Sequence, residues 1–583
     1  MNLINTLSRL FGRLSLMSLW HHLIFFLVFI GVVIPLVFLV LGSFSMADLP
    51  TDFTFDTMGL DNYEEVWWDP STYKLFYNTA IYVTGSVIFG ITLAAMLAWM
   101  VERTDIPGKM WIYAGVPMTL AMPGMLQAMA WVLLLSPRIG YLNVFLDDVL
   151  GIGRINVYTL GGIIFVEGLR LVPTAFLMLV PLLRSMDPTL EEASFMSGAG
   201  PASTLRKVTL RLMAPGMVAV IIYQAMTALE VFEVPGVLGL PGGIYVFSTK
   251  IYSIINTQSA LPAYGQANAL SMFYLVIAVV TTFFYARMIS KSERFTIVTG
   301  KGYRPRLMEL GRWRGLAISL VVAFLVLSVL LPLLVLVYTS LLPYLQEPSW
   351  EVLGKLTFRH YVKLSQDPII GTVLWNTFLL VVISSTVTTV FSFLISMVVV
   401  RSKFWGRRLL DQLSFMPHAI PGIVMGVAFI WMFLKIDQWT SINIYGTVWS
   451  ICIGFILSFI AYGTRAMNAA LLQLHKELEE AAYTSGATVW RTMRKVFMPL
   501  LMPALAGVWI WVMLHVIRIA GMPLILYQGP ENQVLAVLIW NEWDHGHIEI
   551  VAAIGTLMLI GLLLITMGLR LFGFGRGTNI QKS

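Results

Sequence analysis

Long apolar stretches recur along the chain, separated by shorter polar or charged connections. They run approximately over residues 22–44, 75–100, 110–136, 160–183, 212–237 and 263–288, then over 316–341, 370–400, 409–434, 445–472, 497–527 and 548–571. A bilayer core roughly 30 Å thick takes about 20 apolar residues per helix, so each stretch is long enough to cross it. Glycine and proline are frequent within them and sustained two-residue alternation is lacking, so helices rather than barrel strands satisfy the backbone. The pattern predicts an all-α, polytopic membrane protein with about 12 transmembrane helices. The first stretch exceeds the apolar core of a secretion signal and no small-residue cleavage site follows it, which predicts a retained helix.

The connections alternate in charge. Arg9 and Arg13, Arg103 and Lys109, then Arg184, Arg206, Lys207 and Arg211 fall on one side, joined by the dense run from Lys291 to Arg314. Arg401, Lys403, Arg407 and Arg408 continue the series, followed by Lys476, Arg491, Arg494 and Lys495, and by Arg570, Arg576 and Lys582. The intervening loops are poor in base, and one carries Asp48, Asp52, Asp56, Asp61, Glu64 and Glu65. Basic loops face the cytoplasm, so both termini are expected there, as an even helix count requires. Composition agrees: 58% of the residues are hydrophobic and only 12% charged, with a mean hydropathy of +0.79, which excludes a water-soluble fold. The net charge of +7 follows from the basic loops and is not a sign of nucleic-acid binding. The single cysteine, Cys452, lies in an apolar stretch, can form no internal disulfide and no metal cluster, and is read as a small core residue.

The two sets of six stretches are related. Leu190-Glu191-Glu192-Ala193-Ser194-Phe195-Met196-Ser197-Gly198-Ala199, continuing to Leu205-Arg206-Lys207-Val208, returns as Leu478-Glu479-Glu480-Ala481-Ala482-Tyr483-Thr484-Ser485-Gly486-Ala487, continuing to Met493-Arg494-Lys495-Val496. The offset is 486 − 198 = 288. Asn78-Thr79 matches Asn376-Thr377 and Pro123-Gly124 matches Pro421-Gly422 at an offset of 298, so the first copy is about ten residues longer, an excess expected around residues 137–157. The copies run in the same direction across the membrane, as a parallel repeat. The expected division is a first repeat over 1–295, a basic cytoplasmic linker over 296–314 and a second repeat over 315–583. Around the repeated motif, Asp187 and Pro188 predict a helix start and Gly198 a left-handed helix end. A second short helix, opening at Pro201 in one copy and near Thr488 in the other, completes a rigid cytoplasmic knob.

This motif resembles the EAA motif of the membrane subunits of ATP-binding-cassette importers. Glu480, Ala481, Ala482, Gly486, Val496, Met498 and Pro499 fit it; the first copy offers Glu192, Ala193, Ser194, Gly198, Val208 and Leu210, with Arg211 at the expected proline and a proline at Pro215 instead. The fused, duplicated layout is similar to the iron(III)-type permeases, a group that includes permeases for thiamine, polyamines and phosphonates. The resemblance implies the type I permease fold, a bacterial inner-membrane location, two copies of a cytoplasmic ATP-binding subunit gripping the two knobs, and a periplasmic solute-binding protein. It also implies a small polar or ionic cargo, with ferric iron the foremost candidate and a polyamine, thiamine, a phosphonate or another organic ion as alternatives. A phosphate-cradling Gly-x-x-x-x-Gly-Lys-Ser/Thr is lacking, so ATP hydrolysis is expected on a separate chain; the protein is not itself expected to be an enzyme, and no cofactor is expected. An ion-gradient-driven secondary transporter is the alternative reading, and a membrane-bound enzyme a third, for which no convergent nucleophile, base or metal set is visible.

Ionisable residues at membrane depth are costly and mark functional candidates. Glu167 and Arg170 are three apart on one helix face and are expected to pair, just before Pro173 bends the helix. Glu230 and Arg518 occupy equivalent places with opposite charge, 518 − 230 = 288, and are expected either to face one another as a gate or binding contact, or to pair separately. Arg465 is expected nearer the cytoplasm, as a pathway contact or a packing anchor. Glu233 is grouped by loop placement with Glu542, Asp544, His545 and His547 near the outer mouth, read as a solvated loop rather than a metal site.

Overall fold

A computed structural model describes residues 16–571 except 152, 185, 187–188, 258–260 and 293–306. The expected helix start at Asp187 and Pro188, both chain termini and most of the basic linker lie outside the described residues. Among the described residues the chain is mainly helical, with ten helices long and apolar enough to cross a membrane, and up to twelve spans when each of two bent helix pairs is counted as one.

The first half runs through α1 (Leu16–Ser43), α2 (Pro70–Arg103), α3 (Lys109–Met118), α4 (Gly124–Leu135), α5 (Leu160–Arg184), α6 (Thr189–Met196), α7 (Leu210–Glu230), α8 (Glu233–Gly239), α9 (Phe247–Ile255) and α10 (Tyr264–Ser292). The second half repeats this order with α11 (Gly311–Leu341), α12 (Pro368–Arg401), α13 (Arg407–Phe415), α14 (Gly422–Thr440), α15 (Val448–Leu472), α16 (Lys476–Thr484), α17 (Met498–Arg518), α18 (Gly521–Leu526), α19 (Leu535–Asp544) and α20 (Ile548–Leu571). The ten-residue excess falls where expected: Gly124 to Leu160 spans 160 − 124 = 36 residues and Gly422 to Val448 spans 448 − 422 = 26. The additional chain folds into a short helix, Tyr141–Asp148, tied back by Asn143, which donates to the Ser136 carbonyl at 3.0 Å.

Within each half the second and fifth helices pack closely because small residues let the backbones approach, the usual driving contact where lipid is as apolar as the side chains. A Cβ on Gly90 of α2 would fall 2.8 Å from the Gly168 carbonyl oxygen of α5, and one on Gly463 of α15 would fall 2.1 Å from Ser392 Oγ of α12. α5 stays one continuous helix through Pro173.

The halves are interlocked by their first helices. α1 packs on α13 and α14 of the second half as well as on α10, with Gly31 against Leu457 and Gly42 against Trp431. In the reverse direction α11 lies against α4 and α3 of the first half. Gln127 Nε2 donates at 3.3 Å to the Ser328 carbonyl, which sits in a π-helical turn, Val326–Leu330, where the helix leaves carbonyls to spare. At the start of α11 the chain is pinned to the first half: Met308 exchanges backbone hydrogen bonds with Arg103 and Asp105 at 2.9 and 3.0 Å. The Asp105 carboxylate accepts from the Leu310 amide at 2.8 Å and meets Arg314. That amide, then Arg314, holds the Asp105 carboxyl below the usual carboxylate range.

The close approach of α2 and α5 is testable. Gly90→Leu forces backbone atoms apart, a change that costs about 1–3 kcal/mol in a packed core and lowers the melting temperature of the purified protein. Gly507→Ala on α17, around which no atom lies within 4 Å of a new Cβ, changes it little. Equal melting temperatures for both variants would contradict the packing.

Candidate functional site

Four helix breaks meet between the halves. Two are made by proline, which has no N–H to donate and pushes the preceding residue to extended backbone. Met122 before Pro123 and Ile420 before Pro421 are extended, and the first-half pair around Pro123 turns by 92°. The other two fall at Val231 after α7 and Ile519 after α17, both extended. Each break leaves backbone donors or acceptors without an intrahelical partner, and water is scarce at this depth.

The partners come from the opposite half. Glu230, the last residue of α7, has its carboxylate near the backbone amide of Gly422, the first residue of α14. Arg518, the last residue of α17, donates to the carbonyl of Leu120, in the 3-10 turn that closes α3. Equivalent side chains thus serve opposite helix ends: a carboxylate meets the positive N-terminal end of α14, and a guanidinium meets the negative C-terminal end of α3. This arrangement accounts for their opposite charges. Glu233 makes a third crossing contact, its Oε1 accepting from the Ala520 amide at 3.0 Å.

Glu167 and Arg170 form the expected pair, with hydrogen bonds of 2.6 and 2.8 Å, Glu167 being fully buried. Arg170 Cδ would lie 3.1 Å from a Cβ at Gly124 and Glu233 Cβ 4.0 Å, so both side chains flank the Pro123 break and depend on glycine there. Beyond the breaks the halves close on an aromatic cluster. Trp540 Nε1 donates to Tyr252 Oη at 2.8 Å, and Phe232 packs 4.8 Å from Tyr252 and 5.1 Å from Trp540, between ring centroids. Tyr252 and Trp540 are repeat equivalents, 540 − 252 = 288, so their contact marks the pseudo-two-fold axis. On the other side of the breaks a cavity of about 30 Å³, open on one side, is lined by Tyr223, Thr227 and Glu230 of α7 and by His418 and Pro421 of the second half.

The two knobs have the same geometry. Gly198 and Gly486 adopt φ of +81° and +77°, the left-handed region that glycine enters without a Cβ penalty. Ala199 N–H reaches the Ser194 carbonyl at 3.1 Å and Gly198 N–H the Phe195 carbonyl at 2.9 Å, repeated as Ala487 to Ala482 at 3.0 Å and Gly486 to Tyr483 at 2.9 Å. Both are Schellman ends. Each is followed by a π-helical turn, Leu205–Thr209 and Met493–Phe497. The first copy then bends by 66° at residue 215, whereas Trp490–Arg518 runs as one span. Ala193, Glu480 and Ala481 are exposed, and Glu192 and Ala482 are half-buried.

Sequence reasoning missed what holds the knobs. Arg103 Nε lies 2.9 Å from Glu191 Oε2, both nearly buried, and Thr209 donates to Glu191 at 2.6 Å. The second half repeats the pair more loosely, Arg401 to Glu479 at 4.0 Å, with Arg401 also donating to the Leu471 and Leu474 carbonyls at 2.8 and 2.6 Å. The signal was present: Glu191 matches Glu479 at the knob offset of 288 and Arg103 matches Arg401 at 298.

Two open alternatives are resolved and one expectation is corrected. Glu230 and Arg518 take the separate arrangement, each beside a backbone group of the opposite half and not paired with one another. Arg465 is a packing anchor and not one of the central charges: it pairs with Asp411 at 3.4 Å and covers the Phe415 ring at 4.6 Å, joining α13 to α15. Glu233 is buried at the start of α8 and is not part of the loop where His547 meets Glu542 at 2.8 Å. Among the described residues no three His, Cys, Asp or Glu converge as a metal site.

Residues 86–294 and 389–573 each match the family described as binding-protein-dependent transport system inner membrane component. The chain is 26% identical over 83% of its length to the ferric transport system permease protein FbpB of Actinobacillus pleuropneumoniae, of which 68% is covered. It is 28% identical over 72% of its length to the putative ferric transport system permease protein FbpB 1 of Haemophilus influenzae, of which 64% is covered. The matched region thus spans about two thirds of these relatives' lengths. A bacterial ABC transporter structure involved in alginate import covers 46% of this chain and 98% of its own, at 16% identity and a TM-score of 0.34, a likeness on which nothing below rests.

The knob anchors yield an ordered expectation. Glu191→Ala strands the buried Arg103, and breaking one partner of a buried pair costs about 3–5 kcal/mol; Glu479→Ala costs less, because Glu479 is partly exposed and Arg401 keeps its carbonyl partners. Limited proteolysis at the knobs of the two variants, with thermal unfolding alongside, measures this. Equal sensitivity at both knobs would contradict it.

Proposed function

This chain belongs to the family of inner-membrane components of binding-protein-dependent transport systems, and on that premise we propose that it is the fused permease of an ATP-driven importer, with both membrane domains in one polypeptide. Membership sets aside the ion-gradient-driven carrier. The observation that carries the mechanism is the pair of knobs built on the same Schellman end and offset by 288 residues. Glu192, Ala193 and Gly198 with Glu480, Ala481, Ala482 and Gly486 are the surfaces that two copies of a separate ATPase grip on the cytoplasmic side. A solute-binding protein delivers cargo at the opposite, periplasmic face.

Force applied to a knob passes through the Arg103–Glu191 or Arg401–Glu479 anchor into α2 or α12, and through the π turn into α7 or α17. Those last helices end on Glu230 and Arg518, whose contacts cross between the halves. Moving the halves therefore requires these contacts to be exchanged, which suits alternating access. The aromatic closure on one side of the breaks and the open cavity on the other fit an inward-facing state. Glu167, Arg170, Glu230, Glu233 and Arg518 line or brace the passage. For cargo we read ferric iron, supported by the names of the two relatives; organic ions remain the alternatives.

Reconstitution in proteoliposomes tests the reading. The chain alone hydrolyses no ATP, and with its cognate ATPase the hydrolysis rises when cargo-loaded binding protein is added. Gly486→Val inserts normally but abolishes this stimulation, because a left-handed residue with a Cβ costs about 1 kcal/mol or more and β-branching adds to it. ATP hydrolysis by the isolated chain, or full stimulation in Gly486→Val, contradicts the proposal.

A further inference from the structure

The loop after α12 and the start of α13 differ in charge from their counterparts in the first half. At the repeat offset of 298, Lys403 corresponds to Asp105, Trp405 to Pro107, Arg407 to Lys109 and Arg408 to Met110. Asp105 and Lys109 balance, whereas Lys403, Arg407 and Arg408 add to +3. In the first half the position is closed from within, because the Leu310 amide and Arg314 at the start of α11 take up the Asp105 carboxylate. Among the described residues the second half supplies no such counter-charge. Asp411, on the same helix, faces Arg465 and Asn468, and Glu479 faces Arg401. The start of α1 brings His21 and His22 instead, with ring centroids 5.9 and 5.0 Å from that of Phe404. The three bases line an open cavity of about 330 Å³ together with Phe404 and Trp405.

We propose that this cavity holds the phosphate of an anionic phospholipid head group, on the membrane face that carries the knobs. The face is fixed by the chain itself, since Lys403 follows two residues after Arg401, which anchors the second knob. An ammonium and two guanidiniums converge there, and a phosphate, with its negative charge and several acceptor oxygens, satisfies all three. Arg407 is held in place for it, one nitrogen donating to the Ser402 carbonyl at 3.0 Å. The surroundings select a lipid rather than an acidic protein surface. Trp405 is 74% exposed, and its ring lies 5.7 Å from that of Phe25 on α1. The same helix presents Leu19, Leu23 and Phe26 outward, so the basic cavity passes directly into an apolar surface of the kind that lies against acyl chains. Gly406 permits this packing, because a Cβ there would fall 2.7 Å from the Phe404 ring and 3.3 Å from that of Phe25. The first half, closed through Asp105, offers no equivalent site. The proposal is independent of the cargo.

Native mass spectrometry of the delipidated full-length chain in detergent, titrated with phosphatidylglycerol and with phosphatidylcholine, tests this. Phosphatidylglycerol is expected to bind the more tightly. The preference falls about 25-fold in the double variant Lys403→Gln/Arg408→Gln, at about fivefold for each basic residue removed. It is kept in Lys403→Arg/Arg408→Lys and unchanged in Arg312→Gln at the start of α11. Equal binding of the two lipids, or an undiminished preference in the double glutamine variant, overturns the proposal, and so does an equal loss in Arg312→Gln, which reduces it to general surface charge. Inorganic phosphate bound as tightly as the lipid identifies a free-anion site instead. Loss of binding to the cognate ATPase in the double glutamine variant, with its lipid preference intact, identifies an acidic partner surface. Either of these results also overturns the proposal.

Discussion

In hydrocarbon every backbone N–H and C=O must find a partner inside the protein, and this chain breaks its helices at the place where that is hardest to arrange. Pro123 and Pro421 interrupt two helices and Val231 and Ile519 end two more, all near the plane between the halves. The solution is reciprocal. Each half supplies a charged side chain from the end of its own broken helix to a helix end of the other, Glu230 to Gly422 and Arg518 to Leu120. The halves are thereby incomplete apart, and the interlocked first helices α1 and α11 reinforce the dependence.

The asymmetry of the duplicated chain follows from the same exchange. A helix N-terminus accepts an anion and a helix C-terminus a cation, so equivalent positions that serve opposite ends have diverged to opposite charge. Divergence extends to the surrounding side chains: Trp511 stacks on Tyr462 and His515 on one side, while Tyr223, Thr227 and His418 line a cavity on the other. The knobs have not diverged in this way. Gly198 and Gly486 keep the same left-handed geometry, as two sites for copies of one partner would demand.

Much of this was legible in the sequence. The apolar spacing gave the spans, two offsets gave the repeat and its ten-residue insertion, and glycine after a Glu-Glu-Ala helix gave the left-handed turns. Glu167 and Arg170 were found because a helical pair three residues apart needs no tertiary information. Glu230 and Arg518 were recognised as equivalents, but their partners are backbone groups that become available only where proline breaks helices distant in sequence. Glu233 was misplaced because a helix break two residues earlier turns the chain inward and buries what reads as a loop residue. Arg103 and Arg401 looked like ordinary basic residues at helix ends, since nothing local shows that Glu191 and Glu479 fold back onto them.

The central claim is that Glu230 and Arg518 each serve a helix end of fixed polarity rather than one another. Exchanging the charges distinguishes the two arrangements. Melting temperatures of Glu230→Arg, Arg518→Glu and the double variant form a cycle whose coupling is read directly. The account predicts that the double variant is at least as destabilised as the worse single one, with no recovery, because both helix ends then face the wrong charge. Recovery of the double variant toward the melting temperature of the unaltered protein would contradict it, as a direct Glu230–Arg518 pair requires.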